Sequence, residues 1–225
     1  MKTKLGRSIL VLLGALAIGG VARNAHACGG AWVPYLEDNQ VDYRVGGVAR
    51  AEKAFTQGKI NASAASVIRM MPAVRHMNAK KSKLVARAQR MLALAVARSD
   101  GALPIGRGIP VYIRGSWLGK SAKDRKANLA WAVKVLATID KTKKHSPAAQ
   151  TDLAEAMARV DADKAQARRI LEKLAKKDLV ATPEGYAALA SLRAQSGDKS
   201  GGRLAMKRCK AMAGHPAACR IDAKS

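Results

Sequence analysis

Acids, aromatics, cysteines and catalytic signatures are all scarce in these 225 residues. Sixteen Asp and Glu stand against 41 Lys and Arg, a formal net charge of +25. So few acids leave little material for a carboxylate-based active site, and the excess of cations attracts polyanions almost regardless of detail. Only eight aromatics occur, too few to build the stacking platforms that single-stranded nucleic acid favours. Of the four histidines, His26 and His145 lie in a leader and a linker, and His76 and His215 sit in turns. None has a G-x-S-x-G or a catalytic cysteine to serve, and nucleophilic catalysis needs an oriented base. The chain has no H-E-x-x-H, no C-x-x-C-H and no P-loop. Gly106-Arg107-Gly108 lacks the third glycine of a dinucleotide fingerprint, since Val111 stands in its place. The expectation is a non-catalytic protein with no cofactor and no metal.

Long apolar runs are missing too. Ser8 to Val21 is the longest, short of the roughly 20 residues a membrane span needs. Lys2, Lys4 and Arg7 precede it and Ala25-His26-Ala27 follows, the pattern of a secretory signal peptide over residues 1–27, cleaved after Ala27. The expected location is periplasmic or secreted. The alternative is a lipoprotein anchored through Cys28, against which stand Ala25 and His26 where a lipobox wants a large aliphatic and a small residue. Four cations leave with the leader, so 37 remain against 16 acids in the 198 residues that follow.

Three cysteines in an oxidising compartment suggest one disulfide. Cys209 and Cys219 lie across Gly214-His215-Pro216, and a bridge there would contribute about 2–3 kcal/mol. A zinc site on Cys209-x5-His215-x3-Cys219 would have only three ligands, so the disulfide is preferred. Cys28 is then the odd one: free, lipidated or paired between chains.

What is present is repetition. Pro147 recurs as Pro183, Leu153-Ala154 as Leu189-Ala190 and Asp161 as Gly197, all 36 residues on. Thereafter the offset is 35: Ala167 answers to Gly202, Ile170-Leu171 to Ala205-Met206, and Leu174 to Cys209. A period near 35, with two amphipathic helices per unit, marks an α-helical repeat whose units must stack to bury their apolar faces. Four helix pairs are expected: 46–57 with 60–71, 81–99 with 121–140, 147–160 with 164–177, and 183–196 with 199–213. Trp131 and Val135 widen the apolar face of the fourth helix, which is therefore expected to be central. Residues 28–45 form an irregular leader or cap, 101–119 a Gly/Pro-rich loop, and 214–225 a C-terminal tail.

The segment AEKAFTQGKINASAASVIRMMP (51–72) resembles a tetratricopeptide repeat, with alanines and an aromatic in the first helix, glycine at the turn and proline after the second. The resemblance extends over 147–177 and 183–213, where Tyr186, Leu189, Ala190 and Gly197 occupy the family's aromatic, leucine, small and turn-glycine positions. Asp161 departs from that pattern. The resemblance implies an all-α, right-handed stack of about four antiparallel helix pairs, a solenoid like that of tetratricopeptide proteins. It also implies a concave groove lined by Thr151, Glu155, Arg159, Glu184, Ser191 and Gln195, suited to a peptide or a partner's tail.

Two further surfaces are candidates. The loop offers Tyr112, Arg114 and Trp117 as contacts. Basic stripes run along Lys83, Arg87 and Arg90 and along Lys199, Arg203, Lys207 and Lys210, each on one helix face. The functional expectation is an exported scaffold that binds a protein or peptide in a bacterial envelope. The alternative is a basic module held electrostatically on an anionic envelope polymer or membrane surface (lipopolysaccharide, phospholipid or nucleic acid), nucleic acid being the weakest because neither stripe carries an aromatic.

Overall fold

The computed structural model describes residues 38–103 and 121–220. The signal peptide, Cys28, the leader up to residue 37, Gly106-Arg107-Gly108 and the loop contacts Tyr112, Arg114 and Trp117 lie outside the described residues.

The described chain is all-α. Eight helices are present and no strand: α1 (Asp38–Thr56), α2 (Ile60–Met70), α3 (Lys83–Arg98), α4 (Ala122–Thr142), α5 (Pro147–Met157), α6 (Lys164–Ala175), α7 (Pro183–Gln195) and α8 (Lys199–Met212). Short side chains with oxygen acceptors start most of them. The hydroxyls of Ser82, Ser121, Ser146 and Thr182 accept from the backbone N–H three residues on, and the Asp198 carboxylate does the same for α8. Each satisfies one of the donors that a helix start leaves orphaned. Pro147 and Pro183 follow two of these caps at the first helical position, where the missing N–H costs nothing.

α1 starts at Asp38 rather than at residue 46, so the expected irregular leader is helical over its last eight residues. Gly46 and Gly47, at the expected start of the first helix, sit within α1. Gly47 is buried there, and a Cβ on it would overlap the Met70 side chain of α2. The glycine answers to a close helix–helix approach, not to a boundary.

The contacts between elements follow a regular order. Consecutive helices pair as α1 with α2, α3 with α4, α5 with α6 and α7 with α8. The first helices also touch in succession, α1 on α3, α3 on α5 and α5 on α7. Each second helix touches the first helix of the next pair, α2 on α3, α4 on α5 and α6 on α7. Small residues make the approaches possible: a Cβ on Gly202 of α8 would stand 3.1 Å from the Ala190 carbonyl oxygen of α7.

The core runs continuously through these contacts, from Val48 and Phe55 to Ala205 and Cys209. α3 is its centre, not α4. Met91 to Ala97 are seven consecutive buried residues, two full turns, because α1, α2, α4 and α5 surround that helix. Trp131 of α4 is only half-buried; its indole N–H donates to the Arg75 carbonyl at 3.3 Å.

The 35-residue offset carries burial from Ala167 to Gly202 and from Leu174 to Cys209. It fails between them. Leu171 is fully buried, its counterpart Met206 is only half-buried, and Ala205 takes the inner place. The Cys209–Cys219 disulfide is present, with Cα atoms 5.8 Å apart, and joins the short 3-10 turn Pro216–Cys219 to α8. Both sulfurs are thereby consumed, so they are not zinc ligands.

Candidate functional site

Among the described residues, two surfaces organise charge in rows. The first lies between the first helices of the pairs. Arg87 of α3 makes two hydrogen bonds to Glu52 of α1, at 2.6 and 3.0 Å. One helical turn on, Arg90 grips Asp152 of α5 with its Nε and Nη2. Arg98, at the end of α3, reaches furthest. Its Nε and Nη2 bind Glu155 of α5 at 2.7 and 3.1 Å, and its Nη1 binds Glu184 of α7 at 2.6 Å. The guanidinium also lies 4.5 Å from the ring centroid of Phe55 in α1. One arginine thus bridges four helices.

These groups are deeply placed. Arg98, Glu155 and Glu184 expose 11 %, 5 % and 15 % of their side chains. Burial raises the Asp152 and Glu184 carboxyls above the ordinary carboxylate range, opposed by Arg90 and Arg98 respectively. Burial lowers the Arg98 guanidinium, but Glu155 and Glu184 more than offset it and the net shift is upward. Paired guanidinium–carboxylate groups in this setting hold helices in register; breaking one leaves an uncompensated buried charge.

This ladder revises the expected groove. Thr151 is fully buried, its hydroxyl donating to the Pro147 carbonyl and accepting from the Ala181 N–H. Glu155 is buried against Arg98, and Glu184 is tied to the same arginine. None of the three is offered to a ligand. Arg159 and Ser191 are half-buried. Gln195 is exposed, but it lines a different depression, described below.

The first basic stripe is revised for the same reason. Lys83 is exposed, whereas Arg87 and Arg90 are engaged by Glu52 and Asp152. His215 departs from the expected solvated turn: it is half-buried, its ring packs against Gly58 in the α1–α2 turn, and its Nδ1 has no partner among the described residues. His76 is exposed in a 3-10 turn. The exposed His145 sets its Nδ1 against the buried Asp140 carboxylate.

The second charged surface belongs to the second helices of the last two pairs. On α8, Lys199, Arg203, Lys207 and Lys210 are all exposed and form no ion pair with a described residue. Leu204, exposed by 59 %, stands among them. Sequence analysis did not single out α6, yet it is equally basic. Arg169, Lys173, Lys176 and Lys177 are exposed along its length and at its end, again with no ion pair to a described residue. They line an open groove of about 1030 Å3 between α6 and the α7–α8 turn, with Leu192 at its floor and Gln195 and Ser196 across from them. The acids on its rim are occupied. Glu172 binds Arg193 at 2.8 and 3.1 Å, which lowers its pKa below the usual carboxylate range, and Asp198 caps α8 through the Gly201 N–H at 2.8 Å.

Among the described residues no group of three His, Cys, Asp or Glu converges as metal ligands would, and no helix is long and apolar enough to cross a membrane. Comparison with protein families, curated proteins and solved structures yields no match.

Proposed function

We propose that this chain is an exported, non-catalytic scaffold of the bacterial envelope, built as a right-handed tetratricopeptide-like stack of helix pairs, that binds a protein partner. One observation carries the reading: the order of helix contacts, in which every first helix touches the next first helix and every second helix touches the following pair. That order suits repeats that stack, and stacked repeats present long surfaces rather than enclosed reaction chambers. The internal charge ladder supports the same reading, because its acids and arginines are spent on each other as fasteners. Export rests on the leader sequence and agrees with the Cys209–Cys219 disulfide.

The test is capture from an envelope extract on the immobilised exported protein at low salt and at about 0.5 M salt, where the screening length falls to a few ångströms. A defined protein retained at high salt is the expected result. Release of all bound material by salt, together with binding to anionic vesicles, would replace this reading with the second one.

The second reading is electrostatic attachment to an anionic membrane surface or envelope polymer. It is favoured by the exposed stripe on α8, where four cations run beside the exposed Leu204. Such a surface gains about 1 kcal/mol per Lys or Arg near an anionic leaflet.

A further inference from the structure

The groove beside α6 differs from the stripe on α8 in running between two elements, so that a ligand in it meets both walls. From the geometry we infer that it is a docking site for an extended acidic segment of a partner protein. This rests on the scaffold reading and names the chemistry of its partner.

Arg169, Lys173, Lys176 and Lys177 fall at i, i+4, i+7 and i+8, one face of a helix, and all four line the groove. From Lys164 to Lys177 the wall extends roughly 20 Å at the helical rise, which is about six residues of extended chain. A volume of about 1030 Å3 sits at the top of the roughly 300–1,000 Å3 range for small-molecule clefts, so it suits a chain segment better than a single small ligand. The two carboxylates on the rim cannot cancel the cations, since Glu172 is held by Arg193 and Arg168 and Asp198 by the start of α8. Gln195 and Ser196 in its lining offer hydrogen bonds to a partner's backbone.

Other anions fit less well. No aromatic lines the groove, so it gives nucleic acid bases nothing to stack on. A bilayer presents a flat face, whereas this groove runs between two walls, α6 on one side and the end of α7 on the other. Acidic side chains on a flexible segment can enter, and each gains from cations that have no ion pair with a described residue.

The probe is a fluorescein-labelled octaglutamate peptide, followed by anisotropy on the full exported protein at about 0.1 M salt, where screening leaves close pairs intact. The double variant Arg169→Glu/Lys173→Glu is expected to weaken binding by about tenfold, since each reversal replaces an attraction by a repulsion. The control Arg203→Glu/Lys207→Glu on α8 is expected to change it by less than about threefold, its charges acting only at long range. Circular dichroism on both variants establishes that the helices persist. Equal losses in the two variants would overturn the groove and leave the scaffold reading intact. So would a wild-type preference for an oligonucleotide or for phosphatidylglycerol vesicles that the α6 variant abolishes. If envelope capture retains no protein at either salt concentration while the peptide still distinguishes α6 from α8, the scaffold reading fails and the acidic-ligand site stands.

Discussion

The first helices and the second helices of this protein use charge in opposite ways. Between α1, α3, α5 and α7 every arginine of the ladder meets a carboxylate, and the two pairs made by Arg98 are deeply placed. On α6, the turn that ends it and α8, eight lysines and arginines stand exposed with no ion pair to a described residue. The chain has only sixteen acids, and four of them, Glu52, Asp152, Glu155 and Glu184, are placed in the ladder. Spending scarce acids inside leaves the outside basic. The same composition thus yields a fastener on one side and an attractive surface on the other.

Substitutions should separate the two sides in order of cost. Arg98→Ala strands Glu155 and Glu184 and should destabilise the fold by about 3–5 kcal/mol in urea unfolding. A loss below about 1 kcal/mol would mean that the carboxylates find other partners. Reducing Cys209–Cys219 should cost about 2–3 kcal/mol by releasing the unfolded chain, read as a lower Tm with dithiothreitol. Gly202→Val pushes a branched side chain against the Ala190 carbonyl and should cost about 1–3 kcal/mol. On the outer side, Lys207→Ala should change stability by no more than about 0.5 kcal/mol.

The pH dependence sharpens the contrast. Glu172 has a lowered folded pKa, set first by its hydrogen bond from Arg193. Its stabilisation is therefore present above the ordinary glutamate range and lost as pH falls through the folded value. Asp152 and Glu184 are shifted upward by burial, so their protonation-linked share runs the other way, present at low pH and lost as pH rises through their folded values. Glu172→Gln should flatten the acid-side decline by about 0.5–1 kcal/mol, whereas Glu184→Gln should not. An unchanged acid limb in Glu172→Gln would remove Arg193–Glu172 from the account.

Much of the architecture was legible because it is written locally. The recurrence of Pro147 at Pro183 and of Leu153-Ala154 at Leu189-Ala190 located the last four helices to within a few residues, and the turn residues marked the pairs. The disulfide followed from a ten-residue separation and an oxidising address. The caps at Ser82, Ser121, Ser146 and Thr182 were also available to reading, standing just before apolar periods.

The ladder was not legible. Its partners are separated by 35, 62, 57 and 86 residues, so no helical spacing announces them. The expected groove failed at Thr151 and Glu155 because repeat register assigns a helix face without saying how near the next pair comes. Gly185 brings α7 so close that a Cβ there would meet the Thr151 methyl at 2.5 Å, and the face closes. The centrality of α3 was missed for a related reason: its stripe is narrow in sequence, yet alanines at 93, 95 and 97 let neighbours cover its other sides. The basic face of α6 could have been found by marking residues 169, 173, 176 and 177 on a helical wheel.

The most direct test is a double-mutant cycle between Arg98 and Glu184, whose side chains join α3 to α7 across an intervening pair. Urea unfolding of wild type, Arg98→Met, Glu184→Gln and the double variant should give a coupling of about 1–3 kcal/mol. Strict additivity would contradict the account, because the first helices would then not be fastened to one another by buried charge.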